Sequence, residues 1–355
     1  MDRPGPRAAA LERGGLGLDS RILSVFQAKA VGASVSMQGK LSLALVLAAL
    51  TTAGALAAST VPSLRALRWL PAGVDLTDAL GRTPTECLSA APDAQTAYRV
   101  ELGRAAFRSP LLLGGQAARA GLACESCHRE GRSNPDFQFP GVSGPPGTAD
   151  VTSSLFSSHR GDGIDNPKPI PDLSGPASAL KVSRAPDGRA LETFIHGLVT
   201  DEFDGAEPPP AVLDGLAAYV RALSPAACPP QPTRAAKAAD LVEDARRAAR
   251  AGLMALDHDD PAAAIAMVQA ARGRLGLVFE RYDGPGLAPQ RAALTAADRD
   301  LAAVLVQLRA RDPRAAGQLR AWLENSDPWA RDLVAAEPRS LFAPSRLAAL
   351  RTVAR

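Results

Sequence analysis

The 355-residue sequence is poor in the side chains that usually bring chemistry. It has four cysteines, four histidines, four methionines, three tryptophans and three tyrosines, and aromatics make up 4% of the chain. No methionine occurs between Met37 and Met254, so the middle of the chain has no thioether of its own. Charge is scarce in another sense: 40 basic and 37 acidic residues leave a net charge of +3, and no basic run is interleaved with aromatics. Nucleic-acid binding is therefore not expected. The high alanine, arginine and proline content carries no functional signal, and a hydrophobic fraction of 46% is that of globular domains.

Half of the cysteines fall in one string, Cys124-Glu-Ser-Cys127-His128. C-x-x-C-H is the pattern that attaches a c-type haem: two thiols form thioethers with its vinyl groups, and the following imidazole becomes the proximal iron ligand. A zinc half-site or a thioredoxin-like redox pair would read similarly. The first wants two more thiol or imidazole ligands at short spacing, the second a surrounding βαβ pattern.

Covalent haem attachment takes place outside the bacterial cytoplasm, so an export signal is expected. Residues 41–58 form an apolar run preceded by Lys40 and closing in Ala55-Leu56-Ala57, an A-x-A cleavage pattern. Residues 1–57 are read as a signal peptide with an odd extension, translation starting at Met37, and 58–84 as an N-terminal segment. An uncleaved membrane anchor is the competing reading. The expected location is the periplasm. In that oxidising space the remaining pair, Cys87 and Cys228, is expected to form a disulfide tying the ends of a domain spanning 85–228.

The expected fold is mostly α. Asp93–Phe107, Arg189–Val199 and Ala211–Leu223 show helical patterns, with long Gly- and Pro-rich loops between them. Three short helices around a C-x-x-C-H turn resemble the arrangement of c-type cytochromes, which implies that the first and last cross with a glycine at the contact; Gly103 and Tyr219 are the candidates here. After Cys228-Pro-Pro-Gln-Pro232 the composition turns Ala/Arg/Leu-rich, and helices are expected over 234–256, 260–280, 294–310, 314–324 and 340–353, an antiparallel bundle domain covering 229–355. Asp259-Asp260-Pro261 reads as a capped helix start, which accounts for the acidic cluster around His258 without a metal. Asp162 and Asp165 lie among glycines without EF-hand spacing and read as turn residues.

The order of blocks Leu102-Gly-Arg-Ala-Ala-Phe107, Cys124-Glu-Ser-Cys127-His128, Pro169-Ile-Pro171-Asp-Leu173, Leu191-Glu-Thr-Phe-Ile-His196 and Ala218-Tyr219-Val220 resembles one lobe of the bacterial di-haem cytochrome c peroxidase superfamily. The resemblance covers about residues 85–228. It implies a cytochrome c-like helical haem domain, with a sixth ligand from the helix after the Pro-x-Leu block. His196 stands at that position in place of the more usual methionine. With one C-x-x-C-H rather than two, a two-haem peroxidase mechanism cannot run within this chain.

The functional expectation is a mono-haem electron carrier: haem c on Cys124 and Cys127, His128 proximal, His196 distal, and a redox protein as partner. His159 is the alternative sixth ligand, and Met254 or Met267 could reach across from the bundle. Two other readings stay open. One is a peroxidase-like enzyme with an open distal face, using Glu202 and His159 to move protons. The other is a haem-based sensor or docking protein working through its helical domain.

Overall fold

The computed structural model describes residues 64–353. The expected signal peptide and its cleavage site lie outside these residues, as does the start of the 58–84 segment. The chain is mostly helical, and the order of its elements is set by where the sequence starts and stops helices. Helix α1 (Leu76–Gly81) is capped by Asp75 and leads into strand β1 (Arg82–Pro84). Asp93 starts α2 (Ala94–Phe107) by accepting from the Thr96 amide at 2.7 Å. Two short helices, α3 (Pro110–Leu113) and α4 (Gly115–Ala120), precede the single-turn α5 (Cys124–Cys127).

A long loop region follows, holding the two-residue antiparallel pair β2 (Thr148–Ala149) and β3 (Lys168–Pro169) and short 3-10 turns at Arg129–Gly131, Ala177–Ala179 and Asp187–Arg189. Helix α6 (Ala190–Gly197) runs on into a π-helical turn, Leu198–Glu202, where the sequence pattern suggested one continuous helix to Val199. Pro210 opens α7 (Pro210–Ala222), as the triple proline predicts.

Helices α2 and α7 cross face to face. The contact is glycine on glycine: a Cβ on Gly103 would lie 1.9 Å from the Gly215 carbonyl oxygen. Gly103 is the expected residue, but its partner is Gly215 rather than Tyr219, which lies one turn farther along α7. Tyr219 is fully buried and sets its ring edge against Phe107 at 5.1 Å.

After Cys228 the chain forms β4 (Thr233–Ala235), antiparallel to β1 with Arg82 opposite Ala235. This pairing takes the first residues expected for the next helix, so α8 begins later, at Ala238 (Ala238–Asp257). Asp260 caps α9 (Pro261–Arg281) as expected, while His258 stacks on Tyr98. Then come α10 (Ala288–Arg309), α11 (Arg314–Glu324), α12 (Ser326–Ala336) and α13 (Pro344–Val353). Helix α12 falls between the helices expected over 314–324 and 340–353; Pro328 occupies its first turn, where no intrahelical amide is lost. Helix α9 is apolar and long enough to cross a membrane by composition, but half of that stretch is buried within this protein.

The sequence divides at Cys228, yet the main hydrophobic core runs across that division. Val100, Leu102, Phe107, Leu216 and Tyr219 share one cluster with Val242, Ala248, Met267, Leu275 and Leu301. The hinge of this arrangement is α2, which packs on α7 with one side and on α8 and α9 with another. A second cluster lies under the loops: Trp69, Leu113, Leu122, Phe137, Phe156, Ile170 and Val199, with Cys124 and Cys127 packed against it. Leu64 and Leu80 join Leu341 and Leu347 in a third, bringing both ends of the described chain together.

Candidate functional site

The Cys124–His128 segment is held as one turn by its own backbone. The His128 amide donates to the Cys124 carbonyl at 2.8 Å, and Ser126 Oγ accepts from the Ala123 amide at 3.0 Å. Buried Asn134 then staples the far end, its amide reaching the Cys127 carbonyl at 2.9 Å and its Nδ2 the Ser126 carbonyl at 2.8 Å. Asn134 drew no attention in the sequence, and nothing in its local setting there signals this role. Gly131, with φ +73°, makes the turn beyond, and a Cβ there would meet Leu223 Cδ1 at 2.5 Å. Only glycine fits both demands.

The loop carrying Pro169-Ile-Pro171-Asp-Leu173 lies across this turn. The Leu173 amide donates to the Gly131 carbonyl at 3.1 Å, and Arg132 pairs with Asp172 at 3.0 Å. This seats the Pro171 carbonyl 3.0 Å from His128 Nδ1. A carbonyl can only accept, so Nδ1 carries the proton and the lone pair sits on Nε2. Burial pushes the imidazole's pKa down to about 4, against which the Pro171 hydrogen bond and Asp172 work only weakly, so His128 is neutral at ordinary pH.

Cys124 and Cys127 are not joined to each other. Burial pushes the Cys124 thiol up to about 12 and raises Cys127 as well, with Cys124 adding to the second shift. Redox-active thiol pairs show the opposite shift. Among the described residues no three His, Cys, Asp or Glu side chains gather as a metal-ion site. Two thiols on one helical turn and a neutral imidazole with a fixed tautomer form a donor set that could hold a c-type haem.

Cys87 and Cys228 form a disulfide, closing a span of 141 residues around this segment. Beside it the Leu88–Leu223 bridge and the β1–β4 pair draw the two ends of the span together.

The other candidates sit apart in character. His196, on α6, has Nε2 2.7 Å from Glu207 Oε2, with 39% and 72% of the two side chains exposed. His159 is more exposed still and lies 3.8 Å from Asp204 Oδ1. Glu202 is buried on the π-helical turn; its Oε1 accepts from Arg160 Nη2 at 2.9 Å, while its buried Oε2 has no hydrogen-bond partner among the described residues. Asp162 accepts from the Ile164 amide at 2.8 Å, the turn role expected of it. Met267 is fully buried in the bundle core beside Gly252, and Met254 is exposed on α8.

A buried charge network backs the Cys124–His128 segment and was not foreseen. Arg108, with 1% of its side chain exposed, reaches Glu86 at 2.9 Å, Glu130 at 2.5 Å, Glu125 at 3.2 Å and Asp244 at 3.6 Å. Arg104 bridges Glu86 and Asp244, and Tyr219 donates its hydroxyl to Glu86 at 2.7 Å. Arg274 binds Glu125 at 2.5 Å and Asp244 at 2.7 Å. Burial pushes the Glu86 carboxyl up, but Arg108, Arg104 and Tyr219 together outweigh it and hold the group at about 2. In Asp244 burial is likewise overcome by Arg274, Arg108 and Arg104, whereas in Glu130 burial prevails and raises the pKa. The partners come from positions up to 149 residues apart, so local pattern could not reveal them. The one available signal is that Arg104 lies on, and Arg108 caps, a helix whose neighbouring residues are apolar.

A cavity of about 180 Å³ opens beside the network, lined by Glu125, Ser126 and Arg129 on one side and Asp244 and Arg274 on the other. The thiols do not line it; they border the apolar cluster under the loops. Comparison with family models, with curated proteins and with solved structures finds no match for this chain.

Proposed function

We propose that this protein is an exported, periplasmic c-type cytochrome that carries one electron to and from a partner redox protein. Cys124 and Cys127 hold a single haem c, and His128 is its proximal ligand. The observation that carries this reading is the His128 Nδ1 to Pro171 hydrogen bond, which frees Nε2 for a metal and fixes the ring's orientation beside two unpaired thiols. When bound, the haem supplies a one-electron Fe(III)/Fe(II) couple. The chain's part is to orient the imidazole, keep it neutral, set Phe107 beside His128 and pack the apolar cluster of Leu122, Phe137 and Ile170 against the two thiols.

His196 is the proposed sixth ligand. That role requires its Nε2 to give up Glu207, which costs little because the pair is exposed and such surface pairs are worth about 0–1 kcal/mol. With His128 and His196 both holding it, the haem would have a lower potential than under His/Met ligation and would be closed to small ligands.

The pairing of His196 with Glu207 also supports a second reading, a peroxidase-like site with an open distal face, for which buried Glu202 with its unpartnered Oε2 and exposed His159 are the proton-transfer candidates. Reduced and oxidised spectra with carbon monoxide and peroxide separate the two. The carrier reading expects a low-spin spectrum that neither ligand changes and a His196→Ala variant that becomes ligand-reactive. Rapid high-spin reaction of the unaltered protein with peroxide supports the enzyme instead.

A further inference from the structure

The network joins the attachment turn to the helices that follow Cys228, and this gives those helices a task. Glu125 lies between the two thiol-bearing residues in sequence and three residues before His128. Its carboxylate points away from the apolar cluster and into the network, bound by Arg274 of α9 at 2.5 and 3.3 Å and by Arg108 at 3.2 Å. Arg274 is held in turn by Asp244 of α8 at 2.7 Å. Side-chain exposure is 5% for Arg274, 10% for Asp244 and 18% for Glu125. Charges so placed are poorly screened by solvent and salt, so each acts on its surroundings at far more than its value in water.

We propose that the Glu125–Arg274 pair fastens the Cys124–His128 turn to the C-terminal helices and sets the reduction potential of the haem there, so that these helices act as an electrostatic backing for the redox centre. This rests on the haem reading above. Arg274 is a positioning residue, acting through Glu125 rather than on the iron. Oxidation adds one positive charge at the iron, which Glu125 favours and Arg274 opposes. Removing either charge therefore moves the potential, and in opposite directions.

The test is a spectroelectrochemical titration of the full-length haem-loaded protein and its variants. Glu125→Gln is expected to raise the potential and Arg274→Gln to lower it, each changing the reduced-to-oxidised ratio at a fixed poise by roughly tenfold, as a unit charge about 10 Å away would at an effective dielectric constant of about 20. The double variant should lie between the two, Arg274→Lys should stay near the unaltered protein, and all should keep its absorption bands. A structural role alone would move both single variants the same way. Shifts of equal sign, or no shift, overturn the proposal. If Arg274→Gln does not accumulate, Glu125→Gln decides, because it leaves Arg274 bound to Asp244; an unmoved potential in that variant is sufficient to reject the idea. An unaltered protein without haem absorption would defeat the haem reading itself, a different outcome from a haem whose potential ignores Glu125.

Discussion

Arg108 sits among four carboxylates with almost none of its side chain exposed. Replacing it by glutamine removes the cation shared by these carboxylates and leaves buried Glu130 with only Arg234 at 3.5 Å, while Glu86 and Glu125 keep Arg104 and Arg274; breaking a buried pair of this kind costs roughly 3–5 kcal/mol. Denaturant unfolding of Arg108→Gln should show that loss. The network also predicts acid behaviour. Glu86 binds its proton less readily when folded, at about 2 rather than 4.5, so the stability it supplies is complete above pH 4.5 and is lost as pH falls toward 2. Such a shift amounts to about 3 kcal/mol. Glu130 has the opposite sign: its raised pKa makes stability fall as pH rises past 4.5. Unfolding measured between pH 4.5 and 2 should therefore have a shallower slope in Glu86→Gln; an unchanged slope contradicts the assignment. At this scale Cys124, Cys127 and His128 were legible because their spacing is local. Pro171 was visible as part of a block, but not its carbonyl's contact with His128, and the ion network depends on partners that only folding brings together.

Among the elements, α2 has the most demanding position, touching α7 through Gly103 and α8 through Glu101 and Arg104, which pair with Arg247 and Asp244. Gly103→Ala puts a methyl where the Gly215 carbonyl oxygen stands and must push the helices apart. Overpacking costs typically 1–3 kcal/mol, and a backbone obstacle belongs at the upper end, so about 3 kcal/mol is expected in thermal or denaturant unfolding. Gly273→Ala, on α9 with open space around it, should cost nothing and gains helix propensity. Apolar stripes and prolines at helix starts made most helices legible, including α2, α7, α9 and α11. Boundaries failed where a tertiary partner took over: β1 claimed Arg234 and Ala235 from the expected start of α8. The π-helical turn at Leu198–Glu202 has no sequence pattern that separates it from α6, so the buried position of Glu202 was not visible either.

Across the whole molecule the disulfide and the shared core make one account. Cys87–Cys228 closes 141 residues, a constraint worth about 4–5 kcal/mol in loop-entropy models, and Cys87→Ser/Cys228→Ser should lose about that much. The composition change at Cys228 suggested two domains, but α2 contributes to the same core as α8 and α9. The segments on either side of Cys228 should then unfold in one transition, followed by fluorescence and circular dichroism together. The central claim is that Cys124, Cys127 and His128 carry a covalent haem. Its most direct test is the mass spectrum, after acid and solvent extraction, of protein produced in a host that attaches c-type haem. The account predicts a mass greater than the processed polypeptide by one haem, and loss of that mass in Cys124→Ala/Cys127→Ala. A mass equal to the bare polypeptide would contradict it.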